Sequence, residues 1–118
     1  MKRRAESGER RAAAAPLGAR EVLDRAMSEA ELQAQVVQLA QASGWLVYHT
    51  YDSRKSPLGF PDLVLARGPH LIFAELKSAR GRLTDEQAEW MAALRRTGQV
   101  AYVWRPRQWD DIEAVLRW

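Results

Sequence analysis

Three residues of this 118-residue chain have the types and spacing of a hydrolytic centre: Asp62, which follows Pro61, then Glu75 and Lys77. Two carboxylates can hold a hard divalent cation through their oxygens. A lysine beside them could orient or deprotonate a water, or stabilise negative charge developing on a phosphate. Pro-Asp alone usually marks a turn, and Glu-x-Lys alone is usually a solvated pair on a strand. Placement has to decide between these readings.

The residues between them read as a hairpin. Asp62 to Ala66 and Leu71 to Lys77 are β-branched and apolar runs, and Arg67-Gly68-Pro69-His70 is a turn. With that turn, Ala66 opposes Leu71, Leu65 opposes Ile72, Val64 opposes Phe73 and Leu63 opposes Ala74. The next pair is Asp62 opposite Glu75. Directly opposed residues on antiparallel strands have Cβ atoms about 4.5–5.5 Å apart, and like charges there are destabilising. A cation between them removes the conflict. Alternation then puts Lys77 on the same strand face as Glu75, and the charges enter only at the end of strands that are otherwise apolar on both faces.

The elements that must hold this hairpin are legible on either side. Ser28-Glu29-Ala30-Glu31 has the form of a capping box, and Leu32, Val36, Leu39 and Ala40 continue with helical period up to Gly44. Trp45 to Tyr51 is rich in aromatic and β-branched residues and reads as a strand. Asp52 to Phe60 is a loop that carries Arg54 and Lys55. After a basic stretch holding Arg80 and Arg82, Thr84-Asp85-Glu86-Gln87 opens a second helix, with Trp90, Met91 and Leu94 inward and Gly98 as its stop. Gln99 to Trp104 is a fourth strand. A last helix begins near Gln108, with Trp109, Ile112 and Leu116 facing the core. The expected order is α-β-β-β-α-β-α, a two- or three-layer α/β sandwich around a mixed sheet.

The set Gly59-Phe60-Pro61-Asp62 and Glu75-Leu76-Lys77 resembles the Pro-Asp…(Asp/Glu)-x-Lys nuclease superfamily. More narrowly, the chain resembles the virus-type replication-repair nuclease (VRR-NUC) family, which is found as small stand-alone phage proteins. Trp45 to Thr50, Asp52-Ser53-Arg54, Leu83 to Gln87 with Trp90, and Tyr102-Val103-Trp104-Arg105-Pro106 extend the likeness over about Ser28 to Leu116. That resemblance implies a restriction-endonuclease-like α/β core and a metal-dependent deoxyribonuclease acting on branched or flapped DNA in replication, repair or recombination. It implies Mg²⁺ or Mn²⁺ on Asp62 and Glu75, with the Leu76 backbone carbonyl as a further ligand and Lys77 as the catalytic lysine. It also implies an acidic or amide residue on the first helix near the metal. Glu31 has the better charge but is used by its capping box, and Gln33 points inward, so Gln33 is favoured. Gln87 either completes the Thr84 cap or joins the site. His49 either contacts phosphate or packs under the loop, with packing favoured, and His70 lies at the far end of the hairpin. Arg54, Lys55, Arg80 and Arg82 flank the carboxylates and would hold DNA phosphates without reading sequence.

Bulk properties set the remaining expectations. The length fits one domain. Residues 1–27 hold seven basic and four acidic side chains and residues 28–118 hold eleven of each, so the net charge of +3 sits in the N-terminal segment. That segment, with its Ala12 to Ala15 run, reads as a basic flexible arm that touches phosphate or is simply solvated, and 28–118 reads as the nuclease domain. Cysteine is absent, which excludes a disulfide scaffold, a thiolate metal site and a cysteine nucleophile. No apolar run reaches the roughly 18 residues of a membrane span, and no apolar stretch follows Lys2-Arg3-Arg4 as in a secretory signal. The expected setting is the interior of a phage-infected or bacterial cell, with no membrane partner. One Glu-x-Lys site per chain means that cutting two strands requires a homodimer. The readings from other classes are a DNA-binding or junction-recognising module without hydrolysis, and a structural domain that would have to tolerate Asp62 against Glu75.

Overall fold

Both capping boxes form. Ser28 Oγ accepts from the Glu31 amide at 3.1 Å while Glu31 Oε1 accepts from the Ser28 amide at 2.8 Å. Thr84 and Gln87 make the same reciprocal pair at 3.1 and 2.9 Å. Each satisfies amide groups that a helix start otherwise leaves without partners. The computed structural model describes residues 18–51 and 55–118. In chain order these form α1 (Ala19–Ala26), α2 (Glu29–Ala42), β1 (Leu46–His49), β2 (Leu63–Arg67), β3 (His70–Leu76), α3 (Asp85–Arg96), β4 (Val100–Trp104), a 3₁₀ turn (Pro106–Gln108) and α4 (Trp109–Arg117). Helix α1 stands ahead of the expected series. The basic N-terminal segment therefore contains a helix over its last residues, held to α4 by an exposed Arg20–Asp110 pair at 3.3 Å.

The sheet has the order β1-β2-β3-β4. The first three strands are an antiparallel meander, and β4 lies parallel to β3. A parallel neighbour needs a crossover, which α3 supplies. The hairpin register runs Leu63–Ala74, Val64–Phe73, Leu65–Ile72 and Ala66–Leu71. The turn is tighter than the expected Arg67–His70 loop. Arg67 pairs with His70, which leaves Gly68 and Pro69 as a two-residue turn, and Gly68 takes the positive φ of 55° that such a turn needs. At the other end β2 starts at Leu63 and β3 stops at Leu76, each one residue short of the sequence expectation.

Leu32, Val36 and Ala40 from α2 and Ile112 and Leu116 from α4 meet Leu63, Leu65, Ile72, Ala74, Leu76 and Trp104 in one buried cluster. These sheet residues alternate with Phe73 and Ala101, whose face carries α3. There Phe60 packs edge-on against both Trp90 and Phe73, with ring centroids 5.1 and 6.0 Å apart. The core is pinned at the turn end by Trp45, whose Nε1 donates to the Leu116 carbonyl at 2.9 Å, with the Arg67 guanidinium 4.4 Å above its ring. A cavity of about 540 Å³ at this end is lined by Trp45, Arg67, His70, Tyr102 and Trp118 among others, and includes none of Asp62, Glu75 or Lys77.

Gly59 fixes the approach of the loop to α3. Its φ is +98°, and a Cβ there would lie 2.5 Å from the Glu86 carbonyl carbon. Gly59→Ala is expected to destabilise the chain by about 1–3 kcal/mol, through backbone strain and forced separation of the loop from the helix. Urea unfolding would show this as a lower midpoint at unchanged slope.

Candidate metal and nuclease site

The end of the sheet where β2 begins and β3 ends collects the charged groups. Glu75 is 1% exposed and Lys77 6%, and they are the buried charged residues among those described. Strand alternation turns Glu75 to the α3 side. Lys77 follows β3 and is still tied to the sheet, since its amide donates to the Trp104 carbonyl at 3.0 Å. Its Nζ stands 3.8 Å from Glu75 Oε2.

Asp62 sits one residue ahead of β2, and its Oδ2 accepts from the Leu76 amide at 2.8 Å. This bond continues the hairpin beyond the last ladder pair and brings the Leu76 peptide against the Asp62 carboxylate. Glu75 Oε2 accepts from Gln87 Nε2 at 3.0 Å, whereas Glu75 Oε1 is buried without any donor. An unsatisfied buried carboxylate oxygen is costly. Burial is the first cause that pushes the Glu75 carboxyl up to about 8. Repulsion by Asp62, and the hydrogen bond a protonated Glu75 can make to it, add to the rise, Lys77 opposes it, and Glu29 adds a smaller push. That hydrogen bond exists only while one of the two carboxyls carries a proton; with both ionised there is nothing to donate. The pair is therefore built to share either a proton or a cation.

Gln87 resolves its two readings by doing both. The amide oxygen closes the Thr84 cap and the amide nitrogen holds Glu75. Gln33 does point inward, but its Nε2 is bonded to His49 Nε2 at 2.8 Å, so it engages His49 and not the carboxylates. Glu31 is exposed and spent on the Ser28 cap, whose hydrogen bonds lower its pKa. The acidic residue of this helix that reaches the site is Glu29, which the sequence pattern does not single out. A Cβ at Gly81 would lie 3.4 Å from Glu29 Oε2 and 3.5 Å from Lys77 Cδ, which sets Glu29 across this glycine from the lysine. Its position as the first residue of the helix, pointing off the end of α2, is the available signal.

The basic loop after Lys77 is held from β4's side. Arg105 Nη1 donates to the carbonyls of Ser78 and Gly81 at 2.9 and 2.6 Å. Arg80 and Arg82 are exposed on that loop, and Lys55 is exposed on the opposite approach. Arg54 lies outside the described residues. His70 is remote, near the Trp45 and Trp118 rings.

Among the described residues no three His, Cys, Asp or Glu side chains converge to hold an ion by themselves. Two carboxylates with water and a main-chain oxygen are nonetheless the kind of set that suits Mg²⁺, which keeps much of its hydration shell. The donorless Oε1 beside Asp62 fits a cation there.

The sheet thus gathers two carboxylates and a lysine at one end. The VRR-NUC domain model matches residues 6–108, and the chain belongs to the VRR-NUC family. A solved structure described as a VRR_NUC domain protein shares the fold, with a TM-score of 0.58 and 21% identity over 77% of this chain and 86% of that one. No curated protein matches the chain. The family match begins well before Ser28, so it takes in much of the N-terminal segment.

Proposed function

We propose that the chain is a Mg²⁺- or Mn²⁺-dependent deoxyribonuclease that hydrolyses phosphodiester bonds in branched or flapped DNA during replication, repair or recombination. The observation that carries this reading is Glu75 Oε1, buried without a donor next to Asp62. Membership of a nuclease-type family supports it. Asp62, Glu75 and the Leu76 carbonyl would hold the ion. When bound, it supplies Lewis-acid polarisation of a phosphate and of the attacking water.

The chain's own residues do the rest. Gln87 keeps the Glu75 carboxylate in one orientation through its amide nitrogen. Lys77 is buried, so its ammonium acts through a low-dielectric space where its charge counts for more than in water. It can donate to the attacking water or to a non-bridging phosphate oxygen as charge builds there. Arg80 and Arg82 are exposed on the adjoining loop and can hold neighbouring phosphates. With one such site per chain, cleavage of both strands would need two copies.

The test pairs cleavage with metal titration. The purified protein should nick at least one of a panel of flapped, branched, single-stranded and duplex DNAs when Mg²⁺ or Mn²⁺ is present. Asp62→Asn should abolish nicking and calorimetric Mn²⁺ binding. It should also make the metal-free protein more stable, because the repulsion on Glu75 is gone while an amide oxygen can still accept from Leu76. Undiminished nicking in Asp62→Asn would refute the assignment. Mn²⁺ binding without nicking of any substrate would indicate a non-catalytic module.

A further inference from the structure

His49, Gln33 and Tyr51 take no part in the chemistry above, yet they stand at the same end of the sheet. Thr50, between the two rings, donates from its amide to the Asp62 carbonyl at 2.8 Å and from its hydroxyl to the Pro61 carbonyl at 2.8 Å. The backbone that carries His49 and Tyr51 is thus bonded directly to the backbone that carries Asp62. Gln33 Nε2 and His49 Nε2 are hydrogen-bonded at 2.8 Å, which fixes the plane of the imidazole. The Tyr51 ring lies 4.6 Å from the His49 ring at 41°.

We propose that Tyr51, backed by His49, is a stacking subsite for an unpaired nucleobase of the DNA next to the scissile phosphate. Tyr51 is 77% exposed and therefore is not a core residue. Among the described residues its ring partner is His49 alone. The Gln33–His49 pair is polar within a helix–strand contact where Val37 and Val47 are apolar, and two aliphatic side chains would fill that space without a desolvation penalty. What the polar pair adds is a fixed ring on which Tyr51 rests. Such a platform leaves a broad π-face in water at the end of the sheet that carries Asp62.

Bases inside a duplex have both faces covered by their neighbours, so only an unpaired base can use the platform. Stacking on an aromatic ring tolerates any base, because every base has a π-face. The subsite would therefore select for flaps, junction branches or frayed ends over continuous duplex, and would do so without sequence preference. This rests on the proposed nuclease reading and gives it a physical source of substrate choice.

The test uses the full chain in EDTA, so that no cleavage occurs. The probe is a flapped duplex with 2-aminopurine at the unpaired nucleotide that adjoins the junction. The wild-type protein should quench the probe on binding. Tyr51→Phe should do the same, and Tyr51→Ala should bind the flap about tenfold more weakly with the quenching lost. Binding to unbranched duplex should not change in either variant, and nor should the melting temperature, because the side chain is exposed. Quenching and flap affinity in Tyr51→Ala equal to wild type would overturn the subsite alone, and the nuclease reading would stand. Failure of the wild-type protein to bind any of these DNAs would overturn both.

Discussion

Lys77→Ala should lower single-turnover cleavage at saturating Mn²⁺ by about a hundredfold or more, the range seen when one preorganised donor is removed from a reacting oxyanion. The side chain is 8% exposed and its Nζ is 3.8 Å from Glu75, so water cannot simply replace the lost positive charge. A second consequence separates this from a general loss of fold. Lys77 opposes the rise in the Glu75 pKa. Its removal should push that carboxyl higher still and move metal binding to higher pH. Lys77→Arg keeps the charge but replaces a compact ammonium by a planar fork, and should restore the titration more fully than the rate. A cleavage loss below tenfold in Lys77→Ala, with unchanged circular dichroism, would remove the lysine from the chemistry.

The metal-free protein should lose stability as pH rises from about 4.5 to about 8, and regain it on addition of Mn²⁺. The sign follows from where the proton is held. The Glu75 carboxyl is raised from 4.5 to about 8, so within that window the folded chain holds a proton that the unfolded chain has released. Stability then falls with pH, and this contribution is lost fully only above the folded value. The size is on the order of a few kcal/mol, since each tenfold difference in proton affinity between the two states corresponds to about 1.4 kcal/mol. A cation must displace this proton. Mn²⁺ affinity should therefore climb roughly tenfold per pH unit through the same window, with close to one proton released per ion. Thermal melts across pH with EDTA or Mn²⁺ would check the first statement, and calorimetry in two buffers of different ionisation enthalpy would check the second. A Glu75→Gln variant should flatten both profiles. A flat profile in the wild-type protein would mean that neither burial nor Asp62 raises Glu75.

The hairpin is readable in the sequence because its register depends on strand alternation and turn length alone. Leu63 opposite Ala74 follows from counting back from the turn. Pairing is insensitive to whether four residues or two make the turn, since Arg67 and His70 simply add one more rung. Helix starts are readable for the same reason: Ser28 and Thr84 act on amides three residues away. The inward direction of Gln33 is legible but its partner is not, because His49 reaches it only after β1 has docked on α2. Glu29 escapes because local pattern gives it no work to do. It is exposed, first in its helix and beside a glutamate with an obvious cap, and its approach to Gly81 exists only once the loop after β3 folds back. Helix α1 has its pattern in the sequence, since Ala19, Val22, Leu23, Ala26 and Met27 recur at helical spacing, but it is short and none of its residues is buried. The VRR-NUC match begins at residue 6, within the segment before Ser28.

The amide of Gln87 bridges two processes that could otherwise run at different times. One end completes the nucleus of α3 and the other supplies the donor to Glu75. Helix nucleation is the costly step in forming a helix, so the centre is assembled in the same cooperative event that starts α3. A chain in which α3 has frayed also lacks the amide that orients Glu75. Under the proposed activity, such a coupling would keep partly folded copies from cutting DNA. It also restricts the route by which position 87 can drift: glutamate would keep the cap but add a negative charge beside Glu75, and leucine would lose both the acceptor for the Thr84 amide and the donor to Glu75.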